Sequence, residues 1–284
     1  GELWSHFDFI PKWQQDDIMV SVAQAGGSVG KHYDEYDVFL AQGYGSRRWQ
    51  LGKMCSKDTP FIEGQPIRLL DDMGEIIFDE VLEAGDVLYV PPCLSHYGVA
   101  VDDCLTFSFG FRRPNMVQIL DEVTDVATGE QALFSPLVLS QAMQTNPYEL
   151  TDDSIRAITA ALIELLKSDK GHAIISQALS ELVSKRQYDL IDVDDKLTPS
   201  ELAERLSQGE CLMINPACRF VLQNNQWYIN GECVCFDERE LALISRFSHY
   251  DVIMLDDLDG SLLDSVTTWL NDNWLILISI TKKY

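Results

Sequence analysis

The apolar positions of this chain change period twice. Up to about residue 113, short β-branched and aromatic runs recur between glycines and prolines. Ile18 to Ala23 reads as a strand. Gly26-Gly27 and Gly30 mark a turn, and Tyr33 to Ala41 reads as the next strand. Arg48 to Leu51, Glu75 to Leu82, Asp86 to Val90 and Cys104 to Phe111 follow, and Pro91-Pro92 stops the run before it. Many short strands at roughly ten-residue spacing predict a sandwich or barrel.

From 114 to about 195 the period becomes helical. Val117, Leu120, Val123 and Val126 form one stripe after Pro114-Asn115. Ser154 to Leu166 and His172 to Lys185 carry broader apolar faces, which can cover the β domain or a second copy of the chain. A homodimer through residues 114–195 is expected. From 196 to 284 the pattern is mixed. Thr198-Pro199 opens a helix with a hydroxyl cap and proline at its first turn. Asn224-Asn225 joins Arg219–Leu222 to Gln226–Ile229 as a hairpin. Helices are expected at Glu238–Phe247 and Gly260–Asn271, an order like that of a winged helix.

Charge narrows the partners. With 45 Asp and Glu against 21 Lys and Arg, the net charge is −24, and the last block alone holds 13 acids against 7 bases. A duplex-binding wing needs the opposite sign, so no direct DNA binding is expected; a basic partner fits the field better. No run of eighteen apolar residues exists, so no membrane span is expected. The seven cysteines are odd in number and lack a C-x-x-C pair, which reads as buried thiols in a reducing cytoplasm. The chain opens Gly1-Glu2-Leu3-Trp4, without a basic leader, and reads as a fragment that lacks residues before Gly1.

The candidate chemistry is concentrated in His32-Tyr33-Asp34 and His96. On a strand, residues i and i+2 share a face, so His32 and Asp34 reach one metal together. Two histidines and one carboxylate form the facial set of non-haem iron sites, which leaves positions open for a co-substrate and O2. Tyr36 extends the same period.

The run Gly30 to Phe39, with Arg47-Arg48-Trp49 and Gly85-Asp86-Val87-Leu88-Tyr89-Val90-Pro91-Pro92 before His96, resembles the JmjC-type ribosomal oxygenases. The resemblance implies an α+β chain of three parts: a double-stranded β-helix (jelly-roll, cupin-like JmjC) domain over 1–113, a helical dimerisation region over 114–195, and a winged-helix-like domain over 196–284. It implies Fe(II) on His32, Asp34 and His96, with 2-oxoglutarate and O2 as co-substrates. Arg47, assisted by Ser21, matches the position that binds the far carboxylate of 2-oxoglutarate, and a guanidinium fork suits a carboxylate. Asp17, Met19, Tyr36 and Ser108 match the lining of the pocket for the protein substrate. The implied reaction is hydroxylation of the β-carbon of an arginine in large-subunit ribosomal protein sixteen. Two alternatives stay open at this point: a JmjC lysine demethylase of a basic tail, and a non-enzymatic cupin-like scaffold.

Overall fold

The computed structural model describes residues 2–65, 67–137, 146, 148–185, 196–247 and 252–279. The chain forms two compact units, Phe7–Arg113 and Pro114–Tyr284 with Gly1–His6.

The first unit has seven strands: β1 (Gln15–Ala23), β2 (Asp37–Tyr44), β3 (Arg47–Met54), β4 (Phe78–Leu82), β5 (Val87–Val90), β6 (Leu94–Ala100) and β7 (Cys104–Phe111). They make a four-stranded sheet, β1-β7-β2-β5, and a three-stranded sheet, β4-β3-β6, with antiparallel pairings throughout. Alternation along each strand selects the inner faces. Val38, Leu40 and Val90 of the larger sheet share a core with Trp49, Leu51 and Leu94 of the smaller. Trp49 lies opposite Gly98 on β6. A Cβ at Gly98 would fall 2.6 Å from the indole, so only glycine admits this tryptophan. The outer face of the larger sheet is aromatic: the ring of Phe7 lies 4.6 Å from Phe109, 5.1 Å from Phe39 and 5.4 Å from Phe111.

In the second unit, α1 (Met116–Ala127) is capped by Asn115 in a reciprocal box with Gln118. It packs on α3 (Asp169–Ser184), as does α2 (Asp152–Lys167). Ser168 ends α2 and caps α3. The winged-helix part follows. It comprises α4 (Pro199–Ser207), β8 (Glu210–Ile214), β9 (Phe220–Gln223), β10 (Gln226–Ile229), β11 (Glu232–Val234), α5 (Glu238–Phe247), α6 (Gly260–Asn271) and β12 (Leu275–Ser279). Thr198 caps α4 with Pro199 in its first turn. Asn224 and Asn225 both take positive φ, 47° and 65°, as a tight hairpin between β9 and β10 requires. Leu202, Leu212, Ile253, Val266 and Leu275 are fully buried in its core. Helix α3 also contacts β9, β10 and β11, so it belongs to the same compact unit as the wing.

One expectation about strands needs correction. The metal-bearing strand was placed over Tyr33–Ala41, but β2 begins at Asp37, and Asp34 lies in irregular chain before it. His32 instead forms an isolated bridge with His96, which ties it to β6 of the smaller sheet, whereas β2 joins the larger one. The His32–Asp34 segment therefore crosses between sheets, and two pairing directions cannot be met by one regular strand. Strand β6 was not anticipated from the sequence. Pro91-Pro92 ends β5, but a turn at Cys93, with φ at 65°, starts a new strand at Leu94, and His96 is in its middle.

A candidate metal and anion site

His32, Asp34 and His96 present ligand atoms that all lie within 4.8 Å of one another. The His96 Nε2 is 3.6 Å from the Asp34 carboxylate, and the two imidazole centroids are 4.2 Å apart. Local backbone fixes this geometry. His32 and His96 exchange both backbone hydrogen bonds, at 3.1 and 2.8 Å, and the Cys93 amide donates to the Asp34 carbonyl at 2.7 Å. The turn into His32 depends on Gly30, whose φ of +106° disfavours any side chain.

The ring orientations follow from hydrogen bonding. The His32 Nδ1 is 2.9 Å from the Gly30 carbonyl, and the His96 Nδ1 is 3.1 Å from the Leu94 carbonyl. A carbonyl only accepts, so each Nδ1 carries its proton and each Nε2 keeps its lone pair for a cation. Burial, with repulsion from His32, lowers the His96 imidazole to about 4, so it is neutral at physiological pH. Two imidazoles and a carboxylate form a donor set suited to a divalent ion.

Arg47 is the second feature. Its side chain is on the inner face of β3, in register with Trp49 and Leu51, and only 3% of the residue is exposed. Nη2 donates to the Ser21 hydroxyl at 3.2 Å, the guanidinium lies 5.8 Å from the Trp49 ring, and Nε has no hydrogen-bond partner. Among the described residues no carboxylate pairs with it. A buried cation left in this state is costly, so the site suits a ligand that brings a carboxylate. Arg48, its neighbour, points outward and forms a fork with Asp79 at 2.6 and 2.7 Å.

The residues expected to line a substrate pocket lie on β1, on β7 and in the segment before β2. Met19 pairs with Ser108 across β1 and β7, and Ser108 faces Leu40 of β2, so these side chains share the inner face. Asp17 lies within 3.1 Å of where a Cβ on Gly110 would stand, and Tyr36 within 3.3 Å. The Tyr36 hydroxyl is pushed up to about 12 by burial and by Asp34. Burial, Asp16 and Asp34 raise the Asp17 carboxyl above its usual range.

Three neighbours were not singled out from the sequence. Arg112 lies 4.3 Å above the Tyr36 ring and pairs with Asp16, and Gly110 leaves room beside both Asp17 and Tyr36. The adjacent acids Asp16-Asp17 and the basic pair Arg112-Arg113 were the available signal. Their pairing follows from strand order alone.

Comparison with known proteins agrees with this geometry. The JmjC domain family matches residues 2–119, and the ROXA-like winged helix matches 164–276. A probable ribosomal oxygenase of Haemophilus influenzae is 42% identical, over 98% of this chain and 74% of that protein. The ribosomal protein uL16 3-hydroxylase of Escherichia coli is 32% identical, over 80% of this chain and 60% of that protein. Among solved structures, E. coli YcfD superimposes with a TM-score of 0.76 at 27% identity, covering 97% of this chain and 74% of that one. The same protein in complex with cobalt and 2-oxoglutarate matches at 0.75 and 26%. With both of its parts matched in order and its near-complete alignment to the Haemophilus protein, the chain belongs to the JmjC-domain ribosomal oxygenases.

Proposed function

We propose that the chain is an Fe(II)- and 2-oxoglutarate-dependent protein hydroxylase that adds a hydroxyl to the β-carbon of an arginine in ribosomal protein uL16. The observation that carries this reading is Arg47: a buried guanidinium with no carboxylate partner among the described residues, on the inner face that also presents the His32–Asp34–His96 set. A keto-dicarboxylate can meet a metal at one end and a guanidinium at the other. The E. coli relatives support it, one named a uL16 3-hydroxylase and one seen with cobalt and 2-oxoglutarate.

Each residue then has a defined task. His32, Asp34 and His96 would hold the iron through Nε2, carboxylate and Nε2. Gly30 and Leu94 hold the two rings by their Nδ1 protons. Arg47 and Ser21 would take the far carboxylate of 2-oxoglutarate. Met19 and Ser108 would wall the approach, and Asp17 and Tyr36 would receive the substrate side chain. Fe(II) with 2-oxoglutarate and O2 supplies the oxidising power to convert an unactivated C–H into C–OH. The protein positions the reacting carbon and excludes water, and Val38, Leu40, Trp49 and Val90 provide an apolar floor.

The surface is consistent with a basic substrate. A net charge of −24 draws a cationic ribosomal protein by long-range attraction. We also propose a cytoplasmic homodimer formed through 114–195. Met116, Val117, Leu120, Ile155 and Leu162 are exposed on the helices there, and all seven cysteines are free thiols. Residues 138–145 and 186–195 of that region lie outside the described part.

The test is to incubate the protein with Fe(II), 2-oxoglutarate and uL16 and to measure intact and fragment masses. The expected result is the gain of one oxygen on an arginine with matching succinate. Loss of a methyl group would instead support a demethylase, and absence of both products would overturn the reading.

A further inference from the structure

The chain between β3 and β4 does more than connect two strands. It turns back to the segment that carries His32 and Asp34 and fastens to it at three places. Leu69 fills the space beside Gly30, where a Cβ would fall 2.8 Å from the leucine Cδ2. The Leu70 amide donates to the Lys31 carbonyl at 2.8 Å, and the Lys31 ammonium donates to the Asp71 carbonyl at 2.9 Å. Tyr33 makes the third attachment. Its ring stacks on Phe61, with centroids 5.7 Å apart and planes inclined by 17°, and its hydroxyl donates to the Ser56 carbonyl at 2.9 Å. The Arg68 guanidinium lies 5.5 Å from the Phe61 centroid. The connection is itself held to the jelly roll. Leu70 and Met73 are buried, the Lys53 amide donates to the Met73 carbonyl at 2.7 Å, and the Cys55 amide donates to the Cys93 carbonyl at 2.7 Å.

Tyr33 stands between two candidate ligands that the backbone holds unequally. His32 exchanges two hydrogen bonds with His96. Asp34 receives one, from the Cys93 amide, and lies in irregular chain before β2 begins at Asp37. Its carboxylate is 3.6 Å from the His96 Nε2, beyond hydrogen-bond range, so that contact does not fix it. Each residue has two soft backbone dihedrals. A side chain anchored at Tyr33 restricts the rotations that would swing the Asp34 carboxylate away from the two imidazoles.

We propose that Tyr33 is a positioning residue for the metal set: its ring, stacked on Phe61 of the β3–β4 connection, holds Asp34 in the direction that a metal ion needs. This rests on the reading of His32, Asp34 and His96 as ligands and adds what keeps the carboxylate in place. Residues that orient ligands from outside the coordination sphere strengthen binding because the ion no longer has to order them. The ring carries most of the effect. The hydroxyl bond is exposed to competing water, and the Ser56 carbonyl also accepts the Thr59 amide at 3.0 Å. The stack is an aromatic contact that any planar ring at position 33 can keep.

The experiment titrates Mn(II) into the metal-free chain, with the free ion followed by electron paramagnetic resonance. The visible absorption of the Co(II) form is recorded alongside, because it reports the number and symmetry of the ligands. Tyr33→Ala should weaken Mn(II) binding by about 10- to 100-fold, the usual effect of removing a group that orients a ligand, and should change the Co(II) spectrum. Phe61→Ala, which leaves position 33 untouched, should change both in the same direction. Tyr33→Phe keeps the stack and should restore Mn(II) affinity to within about threefold of wild type. A Tyr33 that served the fold alone would lower the melting temperature of the metal-free protein, yet the folded Tyr33→Ala variant would keep the wild-type Mn(II) affinity and Co(II) spectrum. That result overturns the proposal, as does a Tyr33→Phe variant as weak as Tyr33→Ala. Should Tyr33→Ala not fold, Phe61→Ala decides by the same two readouts. Failure of wild type to bind either ion would instead overturn the metal reading, so the two failures are distinguishable.

Discussion

Replacing Arg47 with methionine should make the resting protein more stable and the site less able to bind its co-substrate. Methionine fills nearly the same volume on the inner face of β3 and carries no charge. Among the described residues the buried guanidinium donates to the Ser21 hydroxyl, and Nε finds no partner. Replacing a poorly compensated buried charge by a hydrophobe of similar size is often worth about 1–4 kcal/mol. Loss of the contact with Trp49 at 5.8 Å returns about 0.5 kcal/mol. The net expectation is a gain of about 1 kcal/mol or more. Binding moves the other way. Hydrogen bonds to charged groups contribute about 1.5–3 kcal/mol each, and a fork makes two, so 2-oxoglutarate affinity should fall by about 10²- to 10⁴-fold. Calorimetric titration of 2-oxoglutarate into the Mn(II) form measures the second effect, and denaturant unfolding of the metal-free form measures the first. Co-substrate affinity within threefold of wild type would refute the assignment. A loss of stability above about 2 kcal/mol would show that Arg47 is satisfied within the fold rather than waiting for a ligand.

Three further predictions follow from the same physics. The His96 imidazole is lowered to about 4 in the fold against about 6.5 when unfolded, so the unfolded chain binds more protons between those values. Stability of the metal-free protein should therefore fall as pH drops from 6.5 toward 4, by up to about 3 kcal/mol; a His96→Gln variant with the same acid slope as wild type would refute this. Gly98→Ala places a methyl 2.6 Å from the Trp49 indole and should destabilise the jelly roll by about 1–3 kcal/mol, read as a lower denaturation midpoint, whereas an unchanged midpoint would mean that Trp49 repacks freely. Dimerisation through 114–195 should give twice the chain mass of 32.1 kDa by light scattering, and Val117→Glu, at an exposed apolar position of α1, should shift it to monomer; a monomeric wild type at micromolar concentration would remove the dimer.

Much of the architecture was legible because it is written in short-range chemistry. Cys104–Phe111 reads as a strand and is one, and the Asn224-Asn225 hairpin and the Thr198-Pro199 helix start are local decisions made by backbone preference and capping. The candidate metal set was legible for a related reason: few residue types bind such an ion, and two of only five histidines fall in the pattern. The route to their convergence was not. Period-2 alternation suggested a single strand for His32 and Asp34, whereas the structure carries His32 on a bridge to β6 and leaves Asp34 in the crossover to β2. Sequence alone therefore determined the residue types, most of the local elements and the candidate ligand set, because these depend on neighbours along the chain. Only the tertiary structure decided that Arg47 is buried with no carboxylate partner among the described residues, that Asp16 pairs with Arg112, and that Gly110 leaves room beside Asp17 and Tyr36. Those facts depend on which strands pair and where a bulge falls, and long-range register sets both.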